Sequence, residues 1–598
     1  MPGATRMAPV DVPVGPPVIS IFTDDEVLVS DPAGRLSGTE EQGYFVADTR
    51  LVSGYRLRLG GVAPVLVNSS EVEHYSARFE FVNGRFPTMA ETVEEGQVHL
   101  RLDRTVGGGV HEDYWVVNHS RFPLRFDLRV SMESDFADIF DVKQGTLIHR
   151  GRTQETWDES NCTRTTTYEN RGFARALRVV TKGAETPPEY ANGWFRFGIV
   201  LWPGESWQTC IFWLPSLDGR THRFPVRACH DLMGESERDR ARLAWAASST
   251  RFTTDNSEVT AIAARAISDL AGLRLASRDG TNPEGMGWVP AAGVPWFLSL
   301  FGRDSLTVSL QTLALSLDIT TGTLKALGDG QADGYDDARD MQPGKILHEV
   351  RHGELAQLGL VPHTPYYGTH EATVLYVWTA AQAWRWHGQR SQLDRVRPHV
   401  ERCLAWIERD GDPDGDGLQE YATRAAEGGY YNQGWKDSGD AIVTSTGDLA
   451  GLPIALCEHQ AYVIAAKRAW ATVLADAYGD AAGARRLRAE ASDLAGLLEE
   501  RFWWEEEGTY YLGLDGDKRP IESVTSNPGH LLWAHAVEPD RAVSVVRRLL
   551  QDDMWSGWGI RTLSSRHPAY NPFSYQLGSV WPHDNAVCVD GFRQYGAD

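Results

Sequence analysis

The stretch NQGWKDSGDA, residues 432–441, sets a tryptophan, a lysine and two carboxylates within six positions. A carboxyl that donates a proton near neutral pH needs an apolar wall or a neighbouring carboxylate to raise its pKa. Trp435 offers the wall and Asp440 the like charge that a general acid at Asp437 would need, the competing reading being a decorated turn; Lys436 acts the other way if it turns inward. PWFLSLFGRDSL (295–306) places Arg303 beside Asp304 after an aromatic run. Such a pair grips two hydroxyls of one sugar, one group donating and the other accepting. The competing reading is that Asp304 caps a helix and Arg303 is exposed.

KILHEVRHGELAQLGLVPHTPYYGTHEATVLY (345–376) is crowded with polar chemistry, including Glu349, His352, Tyr367 and Glu371. Its His348-Glu349-x-x-His352 fits the zinc-protease pattern, which needs both histidines on one helix face. Gly353 follows at once and no third ligand is placed, so a polar loop lining a sugar pocket is the preferred reading and no metal site is assigned. HPAYNPFSYQLGSVWPHDNAV (567–587) brings Trp581, His583 and Asp584 into one aromatic loop before a helix; it lines a cleft or merely closes the fold. In DGDPDGDGLQEY (410–421), Asp412, Asp414, Asp416 and Glu420 offer oxygen ligands to Ca²⁺ around glycines. The loop is shorter than the full twelve-residue calcium pattern, and an acidic turn held by Asx hydrogen bonds competes with it. No cofactor is required by any of these groups.

The elements that must carry these residues differ between the two halves. From 18 to about 225, short runs such as YRLRL, ARFEFV and LRFDLRV alternate apolar with polar residues between Gly, Pro, Asn and Asp. They predict an antiparallel β-sandwich over 15–225. RDRARLAWAASST predicts a linking helix within 226–254. From 255 to 598 the period is helical. Val259, Ile262, Ala266, Leu270 and Leu273 share one stripe, and Leu487, Leu494, Leu498 and Phe502 another. Helices separated by long loops rich in Trp, His and Asp predict an α/α barrel whose loops converge on a pocket.

Bulk composition narrows the partners. A chain of 598 residues exceeds one core, and a net charge of −23, from 58 basic against 81 acidic residues, disfavours nucleic acid and anionic membranes. The 21 tryptophans serve as core filling or as platforms for sugar rings. Cys162, Cys210, Cys229, Cys403, Cys457 and Cys588 form no C-x-x-C pair and fit free thiols in a reducing compartment. No signal-peptide core or transmembrane run is present, so the cytoplasm is the expected location.

GYFVADTR (43–50) and DFADIF (135–140), taken with PWFLSLFGRDSL, GWKDS and GSVWPHDNA, resemble bacterial amylo-α-1,6-glucosidase-like proteins of the glycogen debranching type. The resemblance spans nearly the whole chain. It implies a debranching-type N-terminal domain followed by a six-hairpin (α/α)6 barrel. It also implies that Asp437 is the general acid and that Arg303 and Asp304 hold the sugar. GLPIALCEHQAY (451–462), with Glu458, and SYQLGSVWP resemble segments of related barrels including neutral invertases. In such barrels the second catalytic carboxylate follows the Trp-Pro on a Glu-containing loop, whereas this sequence stops at Asp598. The expectation is therefore a C-terminally truncated barrel lacking its last helices, with the base among Asp584, Glu458, Asp304 and Asp440, and Asp584 preferred; loss of catalysis is the other outcome.

The expected activity is inverting hydrolysis of α-glucosidic linkages in an oligo- or polysaccharide. Trp296, Trp435 and Trp581 would stack on sugar, and Glu349, His352, Tyr367, Glu371, Lys436, Glu458 and His583 complete the expected contact set. The alternatives are another glycone or aglycone (α-mannoside, glucosylglycerate or sucrose) and a carbohydrate-binding protein without turnover.

Overall fold

In Trp194–Leu201, Phe195, Phe197, Ile199 and Leu201 are buried and the residues between them are not, the period of two of a strand packed on one face. Strands of this kind build the N-terminal half. The computed structural model describes residues 17–39, 41–88, 92–221, 237–275 and 287–597. A nine-stranded antiparallel sheet centres on Ser206–Leu217, Val110–Asn118 and Val98–Val106, and a five-stranded one on Trp194–Leu201, Leu124–Glu133 and Gly54–Leu59. Leu100, Tyr114 and Trp213 of the first sheet share one core with Tyr55, Leu128 and Phe197 of the second, so the sheets stack face to face. A four-stranded sheet, Ile19–Thr23, Glu26–Ser30, Gly43–Val46 and Thr49–Val52, lies beside them.

The helices in chain order are α1 (Ile139–Gln144), α2 (Glu237–Ser248), α3 (Ser257–Gly272), α4 (Gly302–Gln311), α5 (Leu317–Asp329), α6 (Glu354–Gln357) and α7 (Glu371–His387). They continue as α8 (Arg390–Arg409), α9 (Cys457–Tyr478), α10 (Ala481–Arg501), α11 (Asn527–Trp533), α12 (Pro539–Leu549) and α13 (Pro582–Gln594). The segment 226–254, expected to link the domains, contains α2; residues 226–236 lie outside those described, as does Cys229. The described cysteines are free thiols, and all but the half-buried Cys162 are buried.

The helical half has two layers. α4, α7, α9, α11 and α13 pack in sequence, and α5, α8, α10 and α12 lie against them. α9 is buried around most of its circumference, whereas α8, α10 and α12 bury one stripe and expose a charged face. On α10 the stripe is the expected one: Leu487, Leu494 and Leu498 are buried, and Phe502 just beyond it as well. On α3 the expected stripe divides. Leu270 packs beside Trp245 and Trp288, while Val259 and Ile262 remain 51% and 62% exposed, because only the C-terminal end of α3 rests on the core. Among the described residues no helix is long and apolar enough to cross a membrane.

Candidate active site

The 432–437 loop is irregular and pinned from both sides. Trp435 N–H donates to Glu371 Oε1 at 2.9 Å, and His370 N–H to the Gln433 carbonyl at 2.9 Å. Gln576 clasps the far side: its Nε2 donates to the Trp435 carbonyl at 2.8 Å, and its Oε1 accepts from Ser438 N at 2.9 Å. Gly434 has no room for a side chain, since a Cβ there would lie 2.9 Å from Leu456 Cδ1. These contacts leave Asp437 facing a cavity of about 380 Å³, a size suited to a small ligand.

Arg303 and Asp304 reach the same cavity from the first turn of α4. Arg303 Nη1 donates to the Gly434 carbonyl at 3.1 Å and Nη2 donates to Asp437 Oδ2. Asp304 does not cap the helix; the N-cap position is Phe301, without a side-chain bond. Although 38% of the Asp304 side chain opens to the cavity, its Oδ2 makes no hydrogen bond. Burial pushes the Asp304 carboxyl up, against the pull of the Arg303 charge. His348 Nδ1 donates to the Gly368 carbonyl at 2.9 Å, and Nε2 turns toward Asp437 Oδ2, 3.9 Å away. Burial, helped by the Arg303 charge, pushes the His348 imidazole down and keeps it neutral.

Glu371 lines the cavity from the start of α7. Burial alone would raise its pKa, but His459, whose Nε2 lies 3.3 Å away, the Arg303 charge and the Trp435 N–H hold it below the usual carboxylate range. The opposite wall is aromatic: Trp435, Trp533, Tyr575 and Trp581. Trp435 lies parallel to the His530 ring, with centroids 5.5 Å apart and 6° between planes, and His583 meets its edge at 5.0 Å. Burial pushes His583 down to about 4, so it is a neutral ring at physiological pH.

Seven of the expected site residues therefore line one cavity: Arg303, Asp304, Glu371, Trp435, Asp437, Trp581 and His583. The others lie elsewhere. Asp584 is wholly buried and accepts from His530 Nε2 at 2.7 Å, with the histidine between it and the cavity, so it cannot activate a water there directly. Lys436 turns away from the cavity and donates to Asn527 Oδ1 at 2.6 Å and the Thr562 carbonyl at 2.7 Å. Glu458 is buried and accepts from Asn527 Nδ2 at 2.7 Å. Tyr367 donates to the Gly330 carbonyl at 2.9 Å within the helical core. Trp296 packs beside the Val27, Val29 and Phe45 cluster between the domains. Glu349 and His352 lie at the same domain boundary, on an irregular segment rather than a helix, which removes the zinc-protease geometry. Asp440 is exposed and supplies no buried charge.

Cavity residues that were not anticipated include Tyr462, His530, Trp533 and Gln576. Tyr462 Oη and His530 Nδ1 lie 2.5 Å apart, so Asp584, His530 and Tyr462 form one chain ending at the cavity. The available signal was the histidine inside the otherwise apolar NPGHLLW of α11.

In the acidic loop that offers ligands to Ca²⁺ or forms an Asx-bonded turn, a lysine and backbone N–H groups meet the carboxylates. Lys518 Nζ lies 3.0 Å from Asp414, 2.9 Å from Asp416 and 2.7 Å from Glu420, and both Asp412 oxygens accept backbone N–H groups from Gly415 and Gly417. A chelator is expected to leave Tm unchanged. A rise in Tm on adding Ca²⁺ would reinstate the ion.

Carboxylates grouped around an arginine in an aromatic-walled cavity between helices are sugar-handling chemistry, and the domain matches agree. Residues 341–598 match the mannosylglycerate hydrolase MGH1-like glycoside hydrolase domain. The helical half thus carries a domain of the glycoside hydrolase kind. Residues 21–211 match the N-terminal domain of some glycogen debranching enzymes. The chain thus pairs a domain matching the N-terminal domain of some glycogen debranching enzymes with one matching a glycoside hydrolase domain. The comparison with curated proteins gives no match. Among solved structures, the GH63 mannosylglycerate hydrolase from Thermus thermophilus in complex with Tris and D-glycerate is 16% identical. That alignment covers 53% of this chain and 85% of that one, with a TM-score of 0.37. Neutral trehalase Nth1 from Saccharomyces cerevisiae is 13% identical over 52% of this chain and 64% of that one, with a TM-score of 0.37. Both are too distant to carry a substrate across.

Proposed function

We propose that the protein hydrolyses α-glucosidic linkages with inversion, as a debranching-type glycosidase whose two helix layers form most of an α/α barrel. The observation that carries the reading is Asp437 in the cavity beside Arg303 and Asp304, under the aromatic wall. Asp437 protonates the glycosidic oxygen as the bond breaks, and Arg303 leaves the Asp437 carboxylate to grip ring hydroxyls when substrate enters. Inversion needs a second carboxylate about 6.5–9.5 Å across the sugar to activate water. The lining carboxylates besides Asp437 are Asp304 and Glu371. Glu371 is engaged by Trp435 N–H and His459, so Asp304, whose side chain is 38% exposed, is the more accessible of the two. Trp435 and Trp581 offer apolar faces to the sugar ring.

A second reading keeps the chemistry and changes the substrate to an α-mannosyl or α-glucosyl glycerate. The match of 341–598 to the mannosylglycerate hydrolase-like domain favours it, and Arg303 is the guanidinium in the cavity wall that would meet a carboxylate aglycone. The test is a hydrolysis panel followed by proton NMR, with isomaltose, branched and linear malto-oligosaccharides, sucrose, mannosylglycerate and glucosylglycerate. Cleavage of the glucans with release of the β-anomer supports the first reading. Cleavage of the glycerates alone transfers the assignment to the second, and binding without cleavage of any member would leave a carbohydrate-binding protein.

A further inference from the structure

The sequence segments GYFVADTR and DFADIF belong to the β domain, far along the chain from every cavity residue, yet both contribute a buried aspartate to the boundary with the helical domain. Asp138 accepts from Leu355 N–H at 2.9 Å. Asp48 does more. It sits in a tight turn with φ +62°, is 8% exposed, and uses both carboxylate oxygens across the boundary: Oδ2 accepts from His352 N–H at 2.8 Å and Oδ1 from Arg351 Nη1 at 3.2 Å.

Arg351 passes this contact inward. Its Nε donates to Glu349 Oε2 at 2.6 Å, and its guanidinium lies 5.0 Å from the Phe301 ring centre. The 348–350 segment is laced to the 300–302 segment: Val350 N–H bonds the Leu300 carbonyl at 3.2 Å, and Gly302 N–H bonds the His348 carbonyl at 2.8 Å. The next residue after Gly302 is Arg303. Glu349 also accepts from Tyr430 Oη at 2.8 Å, and the Tyr430 ring meets the His348 ring at 5.1 Å. Hydrogen bonds, an ion pair and ring contacts thus link the buried Asp48, Arg351 and Glu349 to the half-buried Tyr430 and the buried His348, whose Nε2 lies 3.9 Å from Asp437.

We propose that Asp48, supplied by the β domain, is a positioning residue for the cavity: through Arg351 and Glu349 it fixes the two segments that present Arg303 and His348 to Asp437. The β domain is then part of the apparatus that shapes the glycosidase pocket, and not only a neighbour of it. The inference rests on the reading of the Asp437 cavity as catalytic.

The full-length Asp48→Asn variant tests it, because asparagine tolerates the positive φ and keeps an acceptor for His352 N–H while losing the charge that holds Arg351. The control is Glu354→Gln, which alters another buried group at the same boundary. Glu354 Oε1 accepts from Tyr168 Oη at 2.6 Å and Asn170 Nδ2 at 2.8 Å, on a route that does not lead to the cavity. Asp48→Asn is expected to lower kcat by about ten- to a hundredfold with KM changed less than about twofold, the scale of a small misplacement of reacting groups. Amide hydrogen exchange at 300–303 and 348–351 is expected to quicken in Asp48→Asn and to stay at the wild-type rate in Glu354→Gln. Equal losses of kcat in both variants would reduce Asp48 to a general interface contact and overturn the proposal, as would an Asp48→Asn enzyme with wild-type kcat and exchange. If the wild type cleaves no member of the panel, the catalytic reading falls, and the exchange pattern alone decides whether Asp48 orders the cavity segments.

Discussion

Asp437→Asn is expected to lower kcat on natural glycosides by about 10²–10⁴-fold, the usual contribution of a positioned proton donor, without lowering Tm. The side chain is 20% exposed and sits at the cavity face, and asparagine of the same shape still meets Arg303 through its carbonyl oxygen. What it lacks is a proton for the departing oxygen. The size of the loss should therefore depend on the leaving group. A nitrophenolate departs with little protonation, so nitrophenyl glycosides should lose much less rate than di- or oligosaccharides. Equal losses on both would make Asp437 a binding group. A variant that kept most of its rate on natural substrates would end its assignment as the acid.

The largest expected effect on stability concerns the next residue back. Lys436 is buried, and burial pulls its pKa from 10.5 down to about 8 against the opposing charges of Asp584 and Glu458. Between about pH 8 and 10.5 the unfolded chain holds a proton at this lysine that the native protein has released, so unfolding takes up a proton and stability at this site rises with pH. Lys436→Met cannot titrate. The unfolding free energy of the wild type should therefore climb relative to that of the methionine variant across this range, by about 3 kcal/mol at the end of it. Chemical denaturation of both proteins at pH 7.5 and 10.5 measures the difference. Parallel curves would show that Lys436 titrates as a free lysine.

Local sequence identified the parts of the cavity that rest on short-range order. GWKDS and GRDSL are short enough to be legible as motifs, their expected roles of acid and gripping pair coming from the family resemblance, and the structure brings them together through the Arg303 contacts with Gly434 and Asp437. It could not say which way neighbours point. His583 and Asp584 are consecutive on α13 and so lie about 100° apart around the helix; one faces the cavity and the other faces His530 on α11. Trp435 and Lys436 divide in the same manner on their loop. Longer range was less legible still. The roles of Glu349 and His352 depend on Asp48, some 300 positions away, and the acidic loop at 412–420 is answered by Lys518, about a hundred positions on. The β half was read correctly as antiparallel because alternation is a local property, whereas the partial exposure of the α3 stripe depends on what packs against it.

The boundary between the domains joins an apolar cluster around Val27, Val29, Phe45 and Leu298 to a set of buried charged groups, Asp48, Asp138, Arg351 and Glu354. An apolar seam tolerates sliding, since oil meets oil in any register. A seam of desolvated charges has one registration, because a shift by one residue strands several ions together. The two halves are therefore not interchangeable modules. A chimera that takes its β half from one relative and its helical half from another should assemble only when both sides of the seam are transplanted as a set, and inheritance of the two halves is bound together by the same arithmetic.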